Sequence, residues 1–301
     1  MNRWFGGIEA GGTKFICLVG AGPNTIVEEI RIPTTTPVET IGRALKFFEP
    51  YARRGELAAV GIASFGPVDL NPSSSTYGCI TTTPKPGWAG VDLRGQIHRA
   101  LHLPVAFDTD VNAAAFGEHT WNPENHSLES LVYMTVGTGI GVGVIANGRP
   151  LHGLLHSEAG HMAVPHDINR DPFPGICPYH GDCLEGLACG PALARRWGCP
   201  AEALPAGHPA WELEGEYLAF GLANLVYTIS PQRIVLGGGV AQHPDLHEIV
   251  RRQVQRILNG YLRSPLLLEK MDQYLVPPAL GSRSGVLGAI AMARQVAERG
   301  G

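Results

Sequence analysis

Two aspartates, Asp108 and Asp110, close a short apolar run, Leu103–Asp108, and stand directly before a helix-forming run, Ala113–Thr120. A carboxylate at the end of a strand and beside a helix N-terminus can accept a proton from a hydroxyl as that oxygen attacks an electrophile. Asp110 meets this description. Asp108 would point the same way along a strand, and as the last strand residue it is also suited to cap the helix, so the two roles stay open from these residues alone.

Two glycine-rich tips suggest the electrophile. Gly11-Gly12-Thr13-Lys14 and Gly137-Thr138-Gly139 each separate two apolar runs, Phe5–Ala10 from Phe15–Val19 and Ser130–Val136 from Ile140–Ile145. Glycine removes the side chains that would keep backbone N–H groups away from phosphate oxygens, and Thr13 and Lys14 add a hydroxyl and a positive charge. One such tip could be an ordinary hairpin turn; a pair of them is harder to explain that way. No Gly-x-x-x-x-Gly-Lys-Ser/Thr run occurs, and no Gly-x-Gly-x-x-Gly opens a helix. These absences argue against a P-loop and against a nicotinamide-dependent oxidoreductase.

A third cluster has the chemistry of a metal site. His161 is followed by Cys177-Pro-Tyr-His180-Gly-Asp-Cys183, two imidazoles and two thiols in a loop bordered by glycine and proline. This N/S set suits tetrahedral zinc, and four protein ligands make such a zinc structural, with no open position for water. Cys17, Cys79, Cys189 and Cys199 have no ligand spacing and read as packing residues. Glu158 would share a face with His161 on a helical turn. Glu185, two residues beyond Cys183, is either held by the same loop near a substrate or a solvated surface carboxylate.

The elements that must position these groups read as an α/β enzyme. The chain has 301 residues, 44% hydrophobic content and a formal net charge of -4, enough for one large domain or two smaller ones with a real core. It has no basic field for nucleic acid, no run of apolar residues long enough to span a bilayer, and no charged leader before an apolar stretch. A soluble, cytoplasmic protein is expected. A helical pattern over 38–54 leads to a buried strand over 58–63 and a glycine corner at Ser64-Phe65-Gly66-Pro67. Residues 71–90, rich in Ser, Thr, Pro and Gly, read as a long ordered loop. The strand-then-glycine pattern returns at Arg233–Ala241, so the chain reads as a duplicated α/β unit.

The order of these motifs resembles that of the ROK sugar kinases from residue 6 to about residue 291. The likeness rests on Gly11-Gly-Thr13, Asp110-Val-Asn112-Ala-Ala, Val136-Gly-Thr-Gly-Ile-Gly, Glu158-Ala-Gly-His161, the Cys/His loop through Glu185, and Leu236-Gly-Gly-Gly239. The resemblance implies an actin-like ATPase fold of two RNase-H-like lobes, residues 1–115 and 116–301, with the last helix, about 284–299, packing back on the first. It implies ATP and Mg2+ as well as structural Zn2+, a hexose as acceptor, Asp110 as catalytic base, and a homodimer. By the same resemblance, ATP phosphates lie against Gly11, Gly12, Thr13, Lys14, Gly137, Thr138 and Gly139, while Pro191, Gly237, Gly238, Gly239, Val240 and Ala241 cradle the adenosine. Gly66, Pro86, Trp88, Asn112, Glu158, His161 and Glu185 would then surround the sugar.

Most relatives begin Asp-x-Gly-Gly-Thr and carry Cys-x-Cys-Gly-x-x-Gly-Cys, whereas this chain has Glu9 and Cys177-Pro-Tyr-His180. Both variants, and Thr83-Pro-Lys-Pro-Gly-Trp88, look like the bacterial fructokinase branch. Glucose, mannose and N-acetylhexosamines are the alternative acceptors, and a sugar-responsive regulator without catalysis is the alternative of another class. The presence of Asp110 disfavours the regulator, and there is no room for a DNA-binding domain before the first phosphate loop.

Overall fold

A computed structural model describes residues 4–299. The first sheet opens with the hairpin β1 (Trp4–Ala10) and β2 (Lys14–Gly22), continues antiparallel into β3 (Thr25–Pro33), and adds β4 (Leu57–Ser64) and β5 (Val105–Thr109) in parallel on the other side of β1. The order is β3-β2-β1-β4-β5. The second sheet uses β6 (Ser130–Val136), β7 (Ile140–Ala146), β8 (Arg149–Pro150), β9 (Arg233–Gly237) and β10 (Leu275–Val276) in the order β10-β9-β6-β7-β8. Taken from the outer hairpin strand inward, the two orders are the same: three consecutive strands, then two that return in parallel beside the first. The duplication suggested by the two glycine-tipped hairpins is therefore present in the topology.

The chain forms two compact units. Among the described residues, one takes those up to Ser127 together with Gly143–Ser157 and those from Ala279 on; the other takes Leu128–Val142 and Glu158–Pro278. The division expected at 115/116 falls inside a continuous helix, α3 (Asp110–Trp121), so the boundary moves to 127/128 and the final helix, Ser284–Arg299, joins the first unit.

In the first unit, α1 (Pro37–Arg53) begins with Thr36, whose side chain accepts the Glu39 amide, and buries Ile41, Ala44 and Phe48. α2 (Leu93–Leu101) is capped by Asp92 and buries Leu93 and Ile97. These faces join Ile8, Phe15, Ile32, Ile62 and Trp88 in one apolar cluster. Helix α3 crosses the final helix where both lack bulk: a Cβ on Gly117 would lie 2.7 Å from Ser284 O, and one on Gly288 only 1.8 Å from Ala113 O. Glu118, fully buried, accepts the Ala279 and Leu280 amides and the Ser284 hydroxyl at 3.1, 3.0 and 2.8 Å. Helix α3, which Asp110 opens, is thus anchored along its middle and later turns by backbone-close packing and a fully used carboxylate.

The second unit surrounds β6 and β9 with α4 (Leu184–Ala188), α5 (Gly190–Trp197), the long α6 (Pro209–Ile229), α7 (Leu246–Leu258) and the short α8 (Pro265–Leu268) and α9 (Met271–Tyr274). β9 is followed by Gly238, where φ is +93° and a Cβ would lie 2.3 Å from Val136 O, so a side chain has no space.

Candidate active site and metal cluster

The chemistry gathers at the carboxyl ends of the parallel strands, where α/β sheets present their ligand-binding crevices. In the first unit Glu9 of β1, Ala63 of β4 and Asp108 of β5 stand in one register row. The Gly11–Lys14 tip, the Gly66 corner and Asp110 follow within a few residues of it.

The two aspartates separate cleanly. Asp108 is buried and its oxygens are taken: Oδ1 accepts the Thr109 amide and the Asn112 Nδ2–H, both at 2.8 Å, and Oδ2 lies 2.8 Å from His152 Nε2. The helix cap expected of Asp108 belongs to Thr109, whose Oγ1 accepts the Asn112 amide at 3.1 Å. Asp110 is the first residue of α3, partly exposed, with Oδ1 accepting the Val111 amide at 2.9 Å. The cap therefore leaves Asp110 outside the buried network of Asp108, in the first turn at the positive end of the helix. The bond to Asp108 raises the pKa of His152, which favours the imidazolium.

Beside Asp110 lies Glu9. Burial first, and the charge of Asp110 second, push its carboxyl up to about 7. The Val286 amide, in the first turn of the final helix, opposes this by donating to Glu9, yet Oε2 is left without a protein partner. A buried orphan carboxylate oxygen near a second carboxylate is the donor chemistry a divalent cation takes. At the adjoining tip the Gly11 amide donates to Lys14 O at 3.0 Å and Thr34 Oγ1 donates to Gly11 O at 2.7 Å. A Cβ on Gly12 meets nothing within 4 Å, so the tip is open where a ligand would approach.

Of the residues expected around the sugar in this unit, Asn112 is buried and held by Asp108, Gly66 is half-buried, and Pro86 is exposed. Trp88 differs from expectation. Its side chain is fully buried, packed 5.4 and 5.6 Å from the Phe15 and Phe65 rings, with Nε1 donating to Thr35 O at 2.9 Å. It anchors the 83–88 loop in the core and offers no surface to a ligand.

The second unit holds the metal-type cluster. The ligand atoms of His161, Cys177, His180 and Cys183 all lie within 4.8 Å of one another. Cys177 Sγ is 3.7 Å from His161 Nδ1 and 3.6 Å from His180 Nδ1, and Cys183 Sγ is 3.5 Å from His161 Nδ1. Zinc with Zn–N of about 2.05 Å and Zn–S of about 2.3 Å at the tetrahedral angle puts N and S about 3.6 Å apart. The side chains fit that geometry. Burial pushes the Cys183 thiol up to about 11, so a cation is what would make it a thiolate at neutral pH.

Glu185 links this cluster to the second glycine tip. Oε1 lies 3.8 Å from His161 Nε2, and Oε2 accepts the Ile140 amide at 2.9 Å, directly after Gly137-Thr138-Gly139. The surface-carboxylate alternative for Glu185 does not hold, since its side chain is only 26% exposed. Gly137 O in turn accepts the Gly190 amide at 2.7 Å, which ties the tip to the start of α5 beside the exposed Pro191. A Cβ on Gly137 or on Gly239 meets nothing, leaving both corners open, whereas Val240 and Ala241 are buried behind them and Gly237 is covered by Tyr133 and Pro278. Thr138 is exposed, as is Glu158, whose carbonyl accepts the His161 amide in a single 3-10 turn at 2.9 Å.

Sequence reasoning passed over His152, His156 and Glu118. His156 is buried with Nε2 accepting the Val68 amide at 3.1 Å, holding the strand corner that carries Gly66. A sequence signal existed only for the two histidines, which flank Gly153-Leu-Leu just before Glu158. Nothing in the local pattern marks Glu118 as buried.

With this geometry in hand, comparison with known proteins is informative. The chain matches the model of the ROK family over residues 5–296. It is 42% identical over 288 residues to a fructokinase of Lactococcus lactis subsp. cremoris, with 96% of each chain covered. It is also 42% identical over 303 residues to a fructokinase of Streptococcus mutans serotype c, covering 99% of this chain and 100% of that one. Among solved structures, the ROK hexokinase from Thermus thermophilus is similar with a TM-score of 0.79 at 28% identity, over 99% of this chain and 100% of that chain.

Proposed function

We propose a function from one premise: the chain belongs to the ROK family. It is an ATP-dependent fructokinase that converts fructose and ATP to fructose 6-phosphate and ADP. The observation that carries the catalytic part is the contrast between Asp108, buried with both oxygens used, and Asp110, partly exposed at the helix start. The preference for fructose rests on the relatives that bear that name.

In this reading Asp110 accepts the proton of the sugar hydroxyl while that oxygen forms its bond to the γ-phosphorus and the bond to the ADP oxygen breaks in line. The Gly11–Lys14 and Gly137–Gly139 tips supply backbone N–H groups, and Lys14 a charge, to phosphate oxygens. Asn112, fixed by Asp108, together with Glu158 and Glu185, orients the ring. Magnesium, when bound, would neutralise charge building on the phosphate oxygens, and Glu9, whose Oε2 has no protein partner, is the carboxylate that would hold it. Zinc would be held by His161, Cys177, His180 and Cys183 and would fix the loop that carries Glu185. A cytoplasmic location and a homodimer accompany the reading. Among the described residues no helix is long and apolar enough to cross a membrane.

The experiment is a panel of hexoses with ATP and magnesium, read as sugar-dependent ADP release. Fructose as the sugar with the highest kcat/KM supports the reading; a higher value for glucose, mannose or an N-acetylhexosamine replaces the substrate and keeps the kinase. No ADP release with any sugar points to the regulatory alternative.

A further inference from the structure

The first unit contains a pocket of about 370 Å³ that the transfer chemistry does not use. Strand β5, α3 and the final helix form its walls; its charged and titratable lining is Arg94, Arg149, Arg299, His152, Tyr77 and Asp108, with Gln295 the neutral polar side chain beside them. Asp110 and Asn112 are not part of it; α3 turns Phe116 toward it instead. The volume falls in the range of small-molecule sites.

Its charge is one-sided in a chain of net charge -4. Several arginines elsewhere are ion-paired, as Arg53 is with Glu49, Arg170 with Glu216, Arg283 with Glu29 and Arg294 with Glu298. Among the described residues, none of Arg94, Arg149 and Arg299 meets a carboxylate. The one acidic group in the lining, Asp108, is already committed to the Thr109 amide, Asn112 and His152. Three uncompensated guanidinium groups therefore face one cavity. Arg94 is also pre-positioned: Nε donates to Val105 O at 3.2 Å and the guanidinium stacks 4.7 Å over the Tyr77 ring. An arginine fixed in this way loses little side-chain entropy on binding and presents its remaining N–H fork.

Guanidinium forks match the tetrahedral oxygens of phosphate, and several together select for multiply charged anions. We propose that this pocket binds a small phosphate-bearing anion, orthophosphate or a phosphate monoester, at a site separate from that of phosphoryl transfer. Its occupant reaches the transfer site by contact: His152 and Asp108 line the pocket, and Asp108 holds Asn112.

The test is calorimetric titration of the full chain with orthophosphate and, separately, with glucose 6-phosphate, in wild type, Arg149→Gln and Arg94→Gln. Titrations are repeated with fructose and a non-hydrolysable ATP analogue present at saturation to occupy the transfer site. Arg149 is exposed, so its substitution leaves the fold intact, as a melting curve will verify. The expected result is one site per chain that persists under saturation and weakens about tenfold on loss of either guanidinium, the worth of one charge-assisted bond. Tighter binding of the ester would show that the site also reads the organic part; equal binding, or binding of orthophosphate alone, that it reads phosphate only. Either supports the site. No binding of either probe up to about 10 mM, or equal affinity in wild type and both variants, overturns it. The readout is binding, so it stands even if the chain proves not to be a fructokinase.

Discussion

Glu185 accepts the Ile140 amide on Oε2 at 2.9 Å while its Oε1 lies 3.8 Å from Nε2 of His161. One side chain thus spans from a residue of the metal-type cluster to the end of the second glycine tip. Metal and ATP are expected to be coupled through it. Protein purified without chelator should carry about one zinc per chain. Removing it, or substituting Cys177→Ser, should raise the KM for ATP as well as for sugar. Glu185→Ala, which keeps all four ligands, should reproduce the ATP part, because the Ile140 N–H loses its acceptor at a cost of about 1–3 kcal/mol. A zinc-free protein with unchanged kinetics for both substrates would refute the coupling.

Glu9 gives a pH signature. Its folded pKa is about 7 against 4.5 in the unfolded chain, so between those values the folded state binds the extra proton. Stability from this group is therefore present below pH 4.5 and lost as pH rises to about 7, by about 3 kcal/mol in all. In magnesium-free buffer Glu9→Gln should melt above wild type at pH 8, with the difference vanishing near pH 4. A difference that does not change with pH would contradict the assignment.

Two glycines should fail in different ways. A Cβ on Gly12 has no protein atom within 4 Å, so Gly12→Ala should fold normally and raise the KM for ATP more than that for sugar. Gly238→Ala must hold an alanine at φ +93° with its Cβ 2.3 Å from Val136 O, so it should lose stability by several kcal/mol. Thermal melts of both, beside their kinetics, distinguish a ligand-facing glycine from a structural one. Equal melting losses would undo the distinction.

Much of this site was legible because its parts are local in sequence. The tips, the Asp110 junction and the Cys/His spacing each lie within one short segment, and the alternation of apolar runs around them gave the two hairpins. What escaped depends on contacts between distant residues. Asp108 could be separated from Asp110 only once Thr109 was seen to cap α3 and His152, far along the chain, was seen to close over Asp108. Resemblance alone places Trp88 beside the sugar, yet Phe15 and Phe65 draw it into the core. The helix spanning 115/116 hid the unit boundary, since α3 continues through it with its Gly117 face against the final helix.

Asp108 should prove a positioning residue. Asp108→Asn keeps an acceptor for one partner but gives up the charge on which His152 and Asn112 converge, so it should lower stability by about 1–3 kcal/mol and raise the KM for sugar more than it lowers kcat. A loss confined to kcat would place the proton transfer on Asp108 instead.

The most direct test of the account is fructose-dependent ADP release by Asp110→Asn beside wild type, with fructose binding measured on the same samples. The amide cannot take the hydroxyl proton, so kcat should fall by about 10²–10⁴-fold while fructose affinity and melting temperature stay close to wild type. Near-normal turnover in Asp110→Asn, with wild type active on fructose, would contradict the assignment of Asp110 as the base.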